Sequence, residues 1–329
     1  MAATGSAAAA PSVTGPFATG RRPRLGRRRW GNRLVWALCA VALALVVIPV
    51  VSIVWGVAGR ALAHWHWSYL TTYPSGNGGG LLNAIEGTLL IVAMVVVVAG
   101  AIGVGAGVYL AEYSQDRRHL LRGASEVLAG VPSIVLGYVG FVGLVTALHW
   151  HYSLYAGVIV LSVLVVPYIM KTTEVALRNV PTTYREGAEA LGMRGGYALR
   201  KFVLRPALPG IATGLILAVA IAVGETAPLI YTLGYSSGSP AFGLHNSPTG
   251  YLTYNVFTDY NQPFASSHYR ADAAALLLIV MVLVLIVIAR VIVMTTQRHS
   301  PDRPQRMGRR RPGRGPGPSD SVDFDTASR

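Results

Sequence analysis

A chain of 329 residues that is 52% hydrophobic and only 13% charged carries more apolar surface than an ordinary soluble domain, and its long apolar runs place it in a membrane. The net charge of +14 does not indicate nucleic-acid binding, because half of the 28 Lys and Arg residues lie in two terminal clusters, Arg21–Arg33 and Arg298–Arg314. The single cysteine, Cys39, excludes an intramolecular disulfide.

Residues 1–20 are Ala, Gly, Ser, Thr and Pro without a periodic pattern, and residues 1–33 are expected to form a disordered basic tail. The first span is predicted over Leu34–Val57. Its arginine pairs, apolar run and "ALA" at Ala61–Ala63 imitate a signal peptide. The run is longer than the roughly 7–15 residues of a signal core, so an uncleaved anchor is expected. Residues 58–80 form the next connection. Its "HWHW" (His64–Trp67), like "HWH" at His149–His151, suits a membrane–water interface better than a metal site.

The core is predicted over residues 81–295. Its second span, Ile85–Leu110, carries Gly100, Gly103, Gly105 and Gly107, and its third, Ala124–Leu148, carries Gly137, Gly140 and Gly143. Glycine at such spacing allows close helix packing. Glu86 stands at the outer end of the second span, where a helix N-terminus favours an acid. The fourth span is Leu154–Met170. A polar segment, 171–207, separates it from the fifth, Leu208–Tyr231. A connection at 232–272 leads to the sixth, Ala273–Thr295, followed by a second basic tail at 296–329. Each run is near the roughly 20 residues a membrane helix needs, and backbone groups in lipid must pair internally, so these are helices. The fold class is all-α, a polytopic bundle of six transmembrane helices. Basic residues occupy alternate connections, which predicts that both termini are cytoplasmic. Contact of the tails with anionic membrane lipids is compatible with this.

Two features carry chemistry. "YREGAEALGMRGG" (Tyr184–Gly196) reads as a short polar helix started by Pro181 and Thr182 and stopped by Gly192. A second short helix over Tyr197–Leu204 is expected to end before Pro206. The other feature is Glu225, an acid within an apolar run and therefore functional or specifically paired. Fourteen residues beyond Ile211, it lies roughly 21 Å along the span. Pro228 cannot donate to the Gly224 carbonyl, which predicts a kink beside Glu225. There is no phosphate-binding loop, since neither lysine, Lys171 or Lys201, follows the required glycines.

At this point the residues resemble a known family. Glu186-Gly187-Ala188, followed by Glu189 and Gly192 and then by "LPG" at Leu208–Gly210, is similar to the EAA loop of ABC importer permeases. Gly187 replaces the usual first alanine of that motif. "AGVPSIVLG" (Ala129–Gly137) resembles the phosphate-uptake permeases of the Pst system, and "GETAPLIYT" (Gly224–Thr232) resembles the PstA type more closely than PstC. The resemblance implies a transport subunit that is not itself an enzyme. Its implied partners are a homologous PstC-like permease, two ATPase subunits, an external phosphate-binding protein and inorganic phosphate, with no nucleic acid. ATP and Mg would be bound by the ATPase, and no cofactor by this chain. Glu186, Gly187, Ala188, Glu189 and Gly192 would couple to the ATPase. Glu225, Thr226, Pro228, Gly224, Pro132 and Ser133 would lie on the translocation path or its gate. Relatives often place an arginine one turn before this glutamate, where this chain has Ile221, so any cation for Glu225 must come from elsewhere. The rival expectations are a permease for molybdate or sulfate, an ATPase-independent carrier, and a membrane-embedded enzyme.

Overall fold

The computed structural model describes residues 25–75, 78–113 and 118–297. The disordered tails expected over 1–33 and 296–329 fall outside the described residues except at 25–33 and 296–297. Among the described residues nearly all structure is helical, with a two-residue antiparallel hairpin, β1 (Pro74–Ser75) and β2 (Gly78–Gly79), as the exception.

The chain divides into two units, residues 1–63 and 64–329. The first contains α1, Leu25–Ala63, with Pro49 inside it. This helix begins within the stretch read from sequence as a tail and extends past Val57. The second unit begins with α2 (Ser68–Thr71). It continues through α3 (Leu82–Val108, extended by a π-helical turn, Tyr109–Tyr113), α4 (Arg118–Gly130) and α5 (Ser133–Gly140, extended by a π-helical stretch, Phe141–Ala147). Then follow α6 (Leu154–Arg178), α7 (Thr183–Ala190) and α8 (Gly195–Ala198), which runs through a π-helical turn, Leu199–Val203, into α9 (Leu204–Gly224). The last elements are α10 (Ala227–Thr232), α11 (Leu252–Tyr260) and α12 (Ala265–Gln297).

Among the described residues, five helical stretches are long and apolar enough to cross a membrane, or six if a bent pair is counted as one. That pair corrects the expected third span. His119–Gly130 and Ser133–Ala147 meet at 98°, because Pro132 has no N–H to continue α4 and forces Val131 out of helical geometry. The segment after the break has 15 residues at 1.5 Å each, roughly 22 Å, against a hydrocarbon core of about 30 Å. The fifth span is corrected likewise: it ends at Gly224 and resumes at Ala227, a full break where a kink was expected. At its other end Pro206 does not stop a separate helix, and α8 joins α9 continuously from Gly195 to Gly224. The polar connection therefore shrinks from 171–207 to 179–194. The later connection shrinks from 232–272 to 233–264, and α11 lies within it.

Helix α6 is the centre of the second unit. Leu161, Val165 and Ile169 are buried among Val95 and Ala99 of α3, Ala218 and Ala222 of α9, and Leu229 of α10. Apolar side chains gain little from burial when lipid is the alternative, so association depends on close packing. Glycine supplies it. A Cβ on Gly103 would meet Ile169 at 2.7 Å, and one on Gly107 would meet Thr173 at 2.5 Å. On α9, a Cβ at Gly210 would meet Ala176 at 2.5 Å, and one at Gly214 would collide with Thr172. Gly105 faces open space. Gly107→Leu should therefore destabilise the folded chain by about 1–3 kcal/mol through overpacking, while Gly105→Leu should stay within about 0.5 kcal/mol of the parent. Reversible unfolding in mixed micelles measures both, and equal losses would refute the assignment of α6 as the packing centre.

Candidate functional site

Helix α7 holds the acidic motif. Thr182 precedes its first residue, and Arg185 N and Glu186 N both bond to Thr182 O, at 2.8 and 3.0 Å. The helix stops at Gly192, whose φ of +65° is left-handed and strains any residue with a Cβ. Glu186, Gly187 and Glu189 are exposed, and Ala188 is buried. The motif thus offers a charged outer face on a seated helix. Leu191 (73% exposed) and Tyr197 (50%) flank it, making an apolar and acidic surface together. The seat is apolar: Leu177, Val180, Val203, Ala207 and Ile211 pack with Tyr184, Val108 and Ala111.

Five charged residues that were not singled out in the sequence fix this end of the bundle. Glu174 of α6 is 2% exposed and binds two arginines. Arg122 of α4 donates Nε and Nη2 to it, Nε at 3.0 Å, and Arg178 Nη2 lies 3.0 Å away, one helical turn on. A buried carboxylate needs such partners to remain charged. Arg185 of α7 reaches Glu112, in the π turn after α3, with Nη2–Oε1 at 2.6 Å. These partners stand 52 and 73 positions apart, so no local spacing rule could pair them.

The second group of predicted residues lies at the two helix breaks. Glu225 is extended (φ −76°, ψ 129°) immediately after α9. Its carbonyl accepts from Thr253 Oγ1 at 3.1 Å, while its half-exposed carboxylate has no hydrogen-bond or ion-pair partner among the described residues. The exposed Gly224 ends α9, Thr226 stands at the N-terminus of α10, and Pro228 lies in its first turn, where a missing N–H costs nothing. Pro132 and Ser133 begin α5 in the same way. The two short helices touch: a Cβ on Gly137 would meet Pro228 Cα at 2.7 Å. The structure therefore joins α5 to α10, though it pairs none of the six residues with a charge for Glu225. Irregular backbone at membrane depth is tolerated where it is buried in protein or lines a watery cavity.

Glu86 does not cap α3 as expected. Leu81 holds the cap position, and Glu86 accepts a hydrogen bond from Tyr73 Oη at 3.0 Å. That bond raises the Tyr73 pKa. The His64–Trp67 cluster stacks on protein, with His64 3.7 Å from the Tyr269 ring, and no metal-binding group of acids, histidines or cysteines occurs among the described residues. Near the start of α12, Arg270 binds Asp259 of α11 at 2.6 and 2.7 Å, and Asp259 also accepts from Asn255 Nδ2 at 3.3 Å.

Residues 103–297 match the family described as the binding-protein-dependent transport system inner membrane component. The chain is 51% identical over 257 residues to the phosphate transport system permease protein PstA 2 of Mycobacterium tuberculosis, covering 78% of this chain and 85% of that protein. It is 36% identical over 222 residues to phosphate transport system permease protein PstA of Yersinia pestis, covering 64% and 73%. The crystal structure of a bacterial ABC transporter involved in the import of the acidic polysaccharide alginate shares the fold, with a TM-score of 0.55 at 13% identity over 84% of this chain and 99% of that one.

The Glu174 cluster generates a graded expectation. Arg122→Ala leaves a buried carboxylate with one partner and should cost about 3 kcal/mol. Arg178→Ala, removing a cation that is 39% exposed, should cost about 1 kcal/mol or less. Unfolding of the two variants under identical detergent conditions checks the order, which must not invert.

Proposed function

Because the chain belongs to the family of binding-protein-dependent transport system inner membrane components, we propose that it is the PstA-type permease subunit of an ATP-driven phosphate importer. It is a multi-pass membrane protein, and its family implies ATPase and substrate-binding partners. The observation that carries the phosphate assignment is the 51% identity to a phosphate transport permease over most of both chains. On this reading a PstC-like permease completes the path, two ATPase subunits dock on one face and a phosphate-binding protein docks on the other. ATP and Mg belong to the ATPase, and this chain hydrolyses nothing.

The residues divide the work. Helix α7 presents Glu186 and Glu189 to the ATPase, Ala188 seats the helix, and Gly187 leaves its outer face open. Gly192 turns the chain so that α8 can begin at Gly195. Since α8 runs unbroken into α9, a movement of the docking surface is a movement of one end of a membrane helix. The other end of α9 is Gly224, where the chain breaks at Glu225. Tilting α9 therefore shifts the Glu225 carboxylate relative to α10 and α5, which are joined through Pro228 and Gly137. Phosphate is anionic, so Glu225 serves the gate or a cation of the partner permease rather than holding the anion directly. Pro132, Ser133, Thr226 and Pro228 set the positions of the two short helices.

The loop-charge bias orients α7, and with it both termini, toward the cytoplasm. The connection at 233–264 then faces outward. Its exposed stretches are Ser237–Ser239, Ala241–Phe242, Leu244–Asn246 and Tyr260–Phe264, while Ser247, Thr249, Gly250 and Tyr251 are buried. A docking surface for the binding protein belongs on these exposed stretches.

Two measurements test this function. Cells lacking the gene should lose uptake of radiolabelled phosphate and keep uptake of sulfate and molybdate, and the reverse pattern would transfer the assignment to another oxyanion. Glu186→Lys combined with Gly192→Pro should leave membrane insertion intact and abolish co-purification of the ATPase. Normal co-purification would remove α7 from the ATPase interface.

A further inference from the structure

Arg185 sits inside the acidic motif and points away from the surface that the motif offers. Its guanidinium makes four contacts with two segments. Nη2 and Nε donate to Glu112 at 2.6 and 3.4 Å, in the π turn that ends α3. Nη2 also donates to Leu177 O at 3.1 Å, and Nη1 to Val180 O at 3.2 Å, at the C-terminal end of α6. Both ionised side chains are largely sheltered, Arg185 at 27% and Glu112 at 17% exposure. A short charge-assisted bond in such a setting is stronger than a surface pair.

The rest of the α7 seat is apolar. Packed side chains carry a push well and a pull poorly, because separating them meets only dispersion forces spread over many weak contacts. A bonded charge pair resists separation in both directions. Its far end is Glu112, on a π turn, where wider i→i+5 bonding marks a compliant place in a helix. We propose that Arg185 is the positioning residue that transmits movement of α7 to α3, so that docking moves the second span together with α9. This inference rests on the reading of α7 as the ATPase contact, and co-purification of the ATPase with the Glu186→Lys, Gly192→Pro variant tests that reading separately.

The test uses the complete importer in proteoliposomes: this chain, the partner permease, the ATPase and the binding protein. Glu112→Gln keeps an acceptor and the carbonyl contacts of Arg185 but removes the charge. It should leave ATPase co-purification unchanged while lowering phosphate transported per ATP hydrolysed by about tenfold, within the ordinary range for coupling between sites. Arg185→Glu and Glu112→Arg should each lower the ratio further, and the double reversal should recover part of it, because a carboxylate at 185 cannot donate to the Leu177 and Val180 carbonyls. An unaltered transport-to-hydrolysis ratio in Glu112→Gln would overturn the proposal. So would loss of ATPase assembly in that variant, since the pair would then serve only to fold the loop. A double reversal no better than either single change, in complexes that assemble, would overturn it as well.

Discussion

Helix α6 sets the distances for its neighbours. Three other helices approach it through glycine: α3 at Gly103 and Gly107, α9 at Gly210 and Gly214, and α5 at Gly140 against Val160. The helix returns the arrangement toward α10 with its own Gly157, which faces Leu229 and Leu233. In lipid such contacts replace the hydrophobic drive as the source of association. Because they depend on the absence of a single carbon, they are short and nearly rigid. The mobile parts of the permease must then lie where the glycines stop, at the ends of these helices.

Those ends are where the charges are. Glu174 is held by two arginines, Glu112 by Arg185, and Asp259 by Arg270. Apart from Arg178–Glu174, which lies within α6, each pair joins elements far apart in the chain or crosses a loop, so these ion pairs locate the ends of helices whose middles are located by glycine. Glu225 contrasts with all three. It stands at a helix break on a half-exposed carboxylate, and leaving an acid in this state is costly at membrane depth. That cost is tolerable where water or the cation of another subunit reaches the group, as it would on the path proposed above.

How much of this was legible in the sequence depended on the range of the interaction. The spans of α3, α6 and α12 were evident from unbroken apolar runs, and Gly192 announced the end of α7, because each is a local property of the chain. The break at Pro132 was also locally signalled, yet the apolar run on both sides hid it: hydropathy counts residues and does not register direction. Pro206 and Pro228 misled in opposite senses. The first lies inside a helix that is continuous from Gly195 to Gly224, just after its π turn, and the second follows a complete stop in the helix. Arg122, Glu174, Arg185 and Glu112 were not recognisable at all. A charge reads as solvated surface until its partner, dozens of residues away, is known to face it.

The π turn at Leu199–Val203 has a consequence of angular phase. A wider turn takes in about one extra residue, and one residue is worth about 100° around a helix. Upstream, the exposed side chain of Tyr197 follows one rotation; downstream, Ala207, Ile211, Gly214, Ala218 and Ala222 follow another as they turn inward. The two faces of this single rod are thus set independently. A one-residue deletion inside the turn would rejoin the phases and swing one face out of register with the other. A deletion of the same size a few positions later would instead carry the whole buried stripe of α9 away from α6. The turn separates the constraint of meeting a soluble partner from the constraint of packing against a membrane helix, and each surface is free to vary without dragging the other around the axis.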